Sequence, residues 1–130
     1  MKKVAWLYVA LLLSGALLLQ GAGMLKEKHS SSPESFYPVA VKKIIDQKCY
    51  GCHSEKGQSQ DAKDALMWED LAKLEKAKLI ANLDVIIEVL EDGVMPPEDA
   101  VKKYPQLKMS DEETKVLKAW ASAKADSLLN

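Results

Sequence analysis

From residue 39 onward, apolar side chains recur with the period of an α-helix. In the first such stretch Val41, Ile44 and Ile45 stand three and four positions apart, and lysines fill the two positions after Val41. This spacing places the three apolar residues on one face of a helix. We expect that helix to end near Cys49–Gly51, because glycine leaves the backbone free to turn.

Two stretches in the middle of the chain show the same period. Residues 65–79 carry apolar residues among paired charges and predict an amphipathic helix, which follows a loop or frayed segment at residues 54–64. Residues 82–93 predict a better defined helix, which Asn82 would cap and Gly93 would end.

A last helix is predicted over residues 110–130. Ser110 with Glu113 three positions later has the sequence of a capping box, in which each residue satisfies the backbone N–H of the other. The face predicted to point inward holds four residues: Val116, Leu117, Trp120 and Ala121.

Strand-like alternation is absent from the sequence between its turn signals. Residues 94–109 contain three prolines and are predicted to be mostly loop, with room for one short turn. The chain is therefore predicted to be all-α, with three or four helices.

The amino terminus has a different pattern. Lys2 and Lys3 precede an almost unbroken apolar run that reaches Leu25, which is typical of an export signal or membrane anchor. The run is long enough to cross a bilayer, which takes ~20 apolar residues. Residues 1–25 are predicted to be a transmembrane anchor or else a cleaved signal peptide. Either fate predicts a folded part outside the cytoplasm.

The remaining chain is predicted to be a tether followed by one domain. Residues 26–38 are polar and rich in serine, which favours a flexible tether, and residues 39–130 form the domain. The chain has a net charge of −1 and no arginine. Because nucleic-acid recognition relies on basic patches, we expect no nucleic-acid partner.

Both cysteines of the chain stand in one short motif, KCYGCHS, at residues 48–54. Cys-x-x-Cys-His is the attachment sequence of a c-type haem. Two thiols on one turn reach the two vinyl groups of the porphyrin and form thioethers, and the following imidazole meets the iron. This interpretation assigns Cys49 and Cys52 to the haem bonds and His53 to the proximal iron ligand.

Three other uses of this motif agree less well with the sequence. A thioredoxin-type dithiol starts a helix in a strand–helix fold, whereas these cysteines end a helix. A structural zinc site takes four ligands, and the other histidine, His29, lies in the predicted tether. A disulfide is chemically possible outside the cytoplasm but leaves His53 without a role.

The usual sixth ligand of a cytochrome c iron is a methionine sulfur. Met95 is the first candidate, because two prolines follow it in GVMPP and stiffen the loop. Met109, just before the last helix, is the second. Met67 lies on an apolar helical stripe and is predicted to fill the core. An iron that is unligated or bound to water on this side is the remaining alternative.

These residues resemble those of a small class I c-type cytochrome, and more specifically the bacterial haem-binding domain family found after a single N-terminal membrane segment. The similarity covers residues 39–121 and is carried by three stretches: IIDQKCYGCHS, ALMWEDL and EVLEDGVMPPEDAVKKYPQLKMSDEETKVLKAW. It implies a small cytochrome c-like fold, with three to four helices around one covalent haem c. It also implies electron transfer or haem-based sensing.

Two features of the chain depart from that family. The segment between the haem motif and Trp68 is short. In many small cytochromes c a proline carbonyl orients the proximal ring, but no proline stands between His53 and Met95 in this chain. The acceptor for the second ring nitrogen of His53 is therefore left open. Trp68 could donate its indole N–H to a haem propionate, since the chain has no arginine; simple core packing is the other interpretation.

The predicted function is a periplasmic electron carrier on the outer side of the inner membrane, or free in the periplasm if the leader is cleaved. Its expected partners are redox proteins of a respiratory or periplasmic electron-transfer chain. The sequence offers no nucleophile–base pair or phosphate loop, so we expect neither catalysis nor a small-molecule substrate. The alternatives are a haem-based sensor or gas-binding subunit of a larger redox complex, and a dithiol or disulfide protein without haem.

Overall fold

The computed structural model describes residues 35–130, and every regular element in this range is helical. The three longest helices are α1 (Val39–Lys48), α4 (Lys76–Glu91) and α6 (Asp111–Leu129). Shorter elements connect them: α2 (Gln60–Ala65), α3 (Trp68–Leu71), α5 (Glu98–Lys103) and a 3-10 turn (Pro105–Leu107). The all-α prediction is confirmed, although short helices raise the number of elements above the expected three or four.

The core lies where α6 packs against both α1 and α4. Each long helix contributes the apolar stripe that its sequence predicts, and α3 adds Trp68 and Leu71. The buried residues of the long helices are Val41, Ile44, Ile45, Leu79, Leu83, Ile86, Leu90, Leu117, Ala121 and Ala125. Burial of a large apolar side chain stabilises a fold by roughly 1.5–3 kcal/mol. Val116 and Trp120 are half-buried against this core.

The prediction of a single helix over residues 65–79 is wrong. Leu66 and Met67 are extended, with φ of −161° and −113°, and α3 is a single turn. The next helix, α4, begins only at Lys76. Helical spacing was misleading here because α3 and α4 both bury side chains in the core and Leu66 and Leu74 pack against it, which leaves the same apolar pattern in the sequence.

Asn82 does not cap a helix. It lies inside α4, where its side-chain amide donates to the Lys78 carbonyl at 2.8 Å. Gly93 does end α4, as predicted, with a φ of +66° that favours glycine. The following N–H, of Val94, bonds back to the Val89 carbonyl at 3.1 Å, which is the closing bond of a Schellman turn.

Two predicted loops contain more helix than expected. Residues 54–64 include the start of α2, which Ser59 caps by accepting from the Ala62 N–H at 3.2 Å. Residues 94–109 include α5 and the 3-10 turn. Both segments are short and polar, so their helices depend on caps and tertiary contacts that an apolar periodicity does not reveal.

The capping box of α6 is confirmed. The Ser110 side chain accepts from the Glu113 N–H at 3.2 Å, and the Glu113 carboxylate accepts from the Ser110 N–H at 2.8 Å. These two bonds satisfy donors that would otherwise be unpaired at the helix start.

The amino-terminal end of the described range packs onto the domain. Phe36 and Tyr37 are half-buried, and the Tyr37 ring centroid lies 5.4 Å from that of Trp120. These two residues therefore belong with the folded domain, although they fall in the predicted tether of residues 26–38. The predicted leader, residues 1–25, lies outside the described residues. Within residues 35–130, no helix has both the length and the hydropathy needed to cross a bilayer.

Candidate functional site

The Cys-x-x-Cys-His motif continues the winding of α1 beyond its last helical residue. Cys49 caps the helix with its N–H on the Ile45 carbonyl at 2.9 Å. The N–H groups of Cys52 and His53 both bond to the Cys49 carbonyl, at 3.1 Å and 2.9 Å. These turns bring both thiols and the imidazole to the end of α1.

The same residues line a cavity of about 410 Å³, which is in the size range of ligand sites. Cys49, Cys52, His53, Met95 and Met109 all contribute to its largely apolar wall. A smaller cavity of about 120 Å³ adjoins it, since Cys49, His53 and Met95 line both. The structure therefore brings together the cysteines, the histidine and both candidate methionines.

The His53 ring has a defined orientation. Its Nδ1 lies 3.0 Å from the carbonyl oxygen of Leu66, and because a carbonyl can only accept, Nδ1 carries the proton. In the neutral ring Nε2 then keeps its lone pair, which is the form of histidine that binds a metal. Leu66 thus supplies the carbonyl that the sequence could not identify. The same stretch of chain makes a second bond to the motif, because the Trp68 N–H donates to the His53 carbonyl at 3.2 Å.

The two thiols are free, and the environment of Cys49 does not suit a redox nucleophile. The pKa of Cys49 is raised to about 12, mainly by burial and also by a charge on Cys52, while the Lys48 cation acts in the opposite direction. A catalytic dithiol needs a lowered pKa, because the thiolate is the nucleophile. The raised pKa of Cys49 disfavours the thioredoxin-like alternative.

Trp68 provides an independent indication that a polar group belongs in the site. Its side chain is only 3% exposed and lines the smaller cavity. Its Nε1–H has no hydrogen-bond partner among residues 35–130. A buried donor without a partner costs roughly 1–3 kcal/mol, so an acceptor on a bound group would be stabilising there.

The methionines are placed differently. Met95 lines both cavities, whereas Met109 lines only the larger one. Met67 lies in the extended segment rather than on a helical stripe, and it lines neither of them. The Met95 backbone is fixed by its N–H, which bonds to the Val89 carbonyl at 3.2 Å at the end of α4.

The sequence model of the cytochrome c family matches residues 39–122, which is most of the described domain. The chain belongs to the cytochrome c family. No match was found among curated proteins or solved structures. Family membership implies covalent haem c, and Cys49 and Cys52 stand where it would be attached. The cavity, the oriented imidazole and the unpaired indole N–H are consistent with that group.

A glycine that the sequence analysis did not single out shapes the loop of this cytochrome c. Gly57 is buried, and its N–H donates to the Ser54 carbonyl at 2.8 Å. A Cβ at this position would lie 2.7 Å from the Cys52 carbonyl carbon and 2.9 Å from the Ser54 oxygen. The signal in the sequence was a glycine four residues after the motif histidine.

Lys48 also lines the larger cavity. Its Nζ donates to the carbonyls of Gln106 and Lys108, at 2.8 Å and 2.9 Å, and lies 3.7 Å from the Glu113 carboxylate. The side chain is only 13% exposed, so these contacts are partly shielded from water. They attach the segment that carries Met109 to the end of α1.

We expect Lys48→Met to lower the free energy of unfolding by about 2 kcal/mol, because hydrogen bonds to a charged group contribute roughly 1.5–3 kcal/mol. Methionine keeps most of the aliphatic stem, so the loss is that of the ammonium. Chemical denaturation of the haem-loaded protein measures it. Lys43→Met, on the exposed side of the same helix, is the control and should change stability little. Equal effects of the two substitutions would contradict this role for Lys48.

Proposed function

We propose that this cytochrome c is a one-electron carrier whose haem iron is held between His53 and Met95. The supporting observation is that Met95 borders both cavities alongside His53, while Met109 borders one. Haem c supplies reversible one-electron chemistry at iron, and a thioether ligand raises its reduction potential. With both axial positions filled, the protein would turn over no substrate.

The residues around Met95 support this role by limiting its motion. Pro96 and Pro97 line the larger cavity and fix their own φ angles. The Met95 N–H bond to Val89 anchors the other side of the methionine to α4. A thioether is a weak ligand, so a stiff loop favours its retention in both oxidation states.

We further propose that the protein works outside the cytoplasm, at the outer face of the inner membrane or free in the periplasm. The leader sequence of residues 1–25 supports this location. Redox proteins of a respiratory or periplasmic chain are the proposed partners, with no small-molecule substrate and no nucleic acid. The absence of arginine from the chain supports the last point.

Replacement of Met95 tests the ligation. We expect Met95→Ala to abolish the weak long-wavelength absorption band of the oxidised protein and to lower the midpoint potential, because the iron loses its sulfur ligand. Absorption spectra and a redox titration measure the two effects. Met109→Ala is the matched control, since it removes a second methionine from the same cavity.

The opposite pattern, with the band lost in Met109→Ala alone, would assign the ligand to Met109. A wild-type protein that lacks the band and binds carbon monoxide rapidly when reduced would contradict the proposal. That result would favour the gas-binding function instead.

A further inference from the structure

The segment that orients His53 has little regular structure of its own. Leu66 and Met67 are extended and join α2 to α3, which are only six and four residues long. Two hydrogen bonds attach the segment to the haem motif: the His53 ring to the Leu66 carbonyl at 3.0 Å, and the Trp68 N–H to the His53 carbonyl at 3.2 Å. Both bonds are made to His53 itself, so they cannot fix the position of the segment independently of His53.

Tyr37 supplies an attachment from elsewhere. Its hydroxyl donates to the Trp68 carbonyl at 2.6 Å, across 31 positions of sequence. The ring packs edge-to-face on Phe36 at 4.8 Å, and its centroid lies 6.0 Å from that of Trp68. The ring therefore packs among other aromatic side chains, and its hydroxyl alone supplies the hydrogen bond to the Trp68 carbonyl.

The hydroxyl remains a donor at ordinary pH. Burial raises the pKa of Tyr37 above its usual value, and the neighbouring Tyr50 and Glu69 raise it further. The carbonyl of Trp68 accepts only, so the direction of this hydrogen bond is fixed.

We propose that Tyr37 is a positioning residue for the proximal iron ligand. Its hydrogen bond to the Trp68 carbonyl holds the Leu66 carbonyl, two residues earlier in the chain, within reach of His53 Nδ1, and thereby contributes to the reduction potential. The inference rests on the proposed ligation of iron by His53. A firm hydrogen bond at Nδ1 makes the imidazole a stronger donor, which favours the oxidised, more positive iron. Loosening that bond should therefore raise the potential.

Tyr37→Phe tests this inference in the haem-loaded protein, since it removes the hydroxyl and keeps the ring. We expect the ratio of reduced to oxidised protein at a fixed potential to rise two- to threefold, a shift of about 18–28 mV at 59 mV per tenfold for one electron. We also expect the His53 ring N–H of the reduced protein to exchange faster with deuterium, as measured by NMR.

Phe36→Leu is the matched control. Phe36 packs on Tyr37 and, at 5.9 Å between ring centroids, on Trp120, but it contributes no side-chain hydrogen bond. It should lower thermal stability without moving the potential or the exchange rate. If Tyr37→Phe behaves like Phe36→Leu, Tyr37 acts through packing alone and the inference is wrong.

The wild-type protein separates this failure from failure of the proposed function. Its spectrum tests whether histidine and methionine bind the iron before any variant is compared. A normal wild-type spectrum with an unchanged Tyr37→Phe potential would overturn only the inference.

Discussion

A chain with alanine at both Cys49 and Cys52 is expected to carry no covalent haem, even when produced in a host that attaches haem c. The thioethers form at these two sulfurs, and the sequence contains no other cysteine. We also expect the double variant to lose most of its tertiary structure, because two adjoining cavities would lie open beside a small core. Mass spectrometry after acid–acetone extraction measures the first effect, and near-ultraviolet circular dichroism measures the second.

The single variant Cys52→Ala is the control, since it keeps one thioether site and the neighbouring His53. It should retain haem through the extraction in part of the protein and keep a folded spectrum. Haem that survives extraction in the double variant would show that attachment does not depend on these sulfurs. A wild-type chain whose two cysteines are joined as a disulfide would contradict the assignment altogether.

The parts of this structure that the sequence predicts well are determined locally. The buried face of α1 follows from the spacing of Val41, Ile44 and Ile45, and the start of α6 follows from Ser110 and Glu113. Helical periodicity and capping operate within a few residues, so a short window of sequence contains all the information they need. The attachment motif is local in the same sense, because its three functional residues share one turn.

The parts that the sequence did not predict depend on contacts between distant residues. His53 bonds to Leu66 thirteen positions away, and Lys48 bonds to Gln106 across 58 positions. Carbonyl groups occur at every residue, so a side chain's backbone acceptor leaves no signal in residue type. The wrong prediction of one helix over residues 65–79 has the same origin. Tertiary hydrogen bonds of this region favour an extended backbone at Leu66 and Met67 instead of a continuous helix.

Gly57 shows how such a contact limits substitution. Its neighbour is the Cys52 carbonyl, so the atoms that an added methyl group meets are backbone atoms of the attachment motif. Backbone atoms cannot move aside as the end of a flexible side chain would. The Gly57 and Gln58 N–H groups also bond to the carbonyls of Ser54 and Gly51, which fixes the loop on both sides.

We therefore expect Gly57→Ala to destabilise the haem-loaded protein by about 3 kcal/mol, the upper range for overpacking a buried site, and to lower the yield of attached haem. Gly51→Ala is a matched control in the same loop, because a Cβ there meets no atom within 4 Å. It should change stability by less than about 0.5 kcal/mol. Neither glycine has a positive φ, so the comparison isolates steric contact from backbone strain. Denaturant unfolding and the haem-to-protein absorbance ratio measure both effects, and equal values for the two variants would show that the close approach to Cys52 is not a constraint.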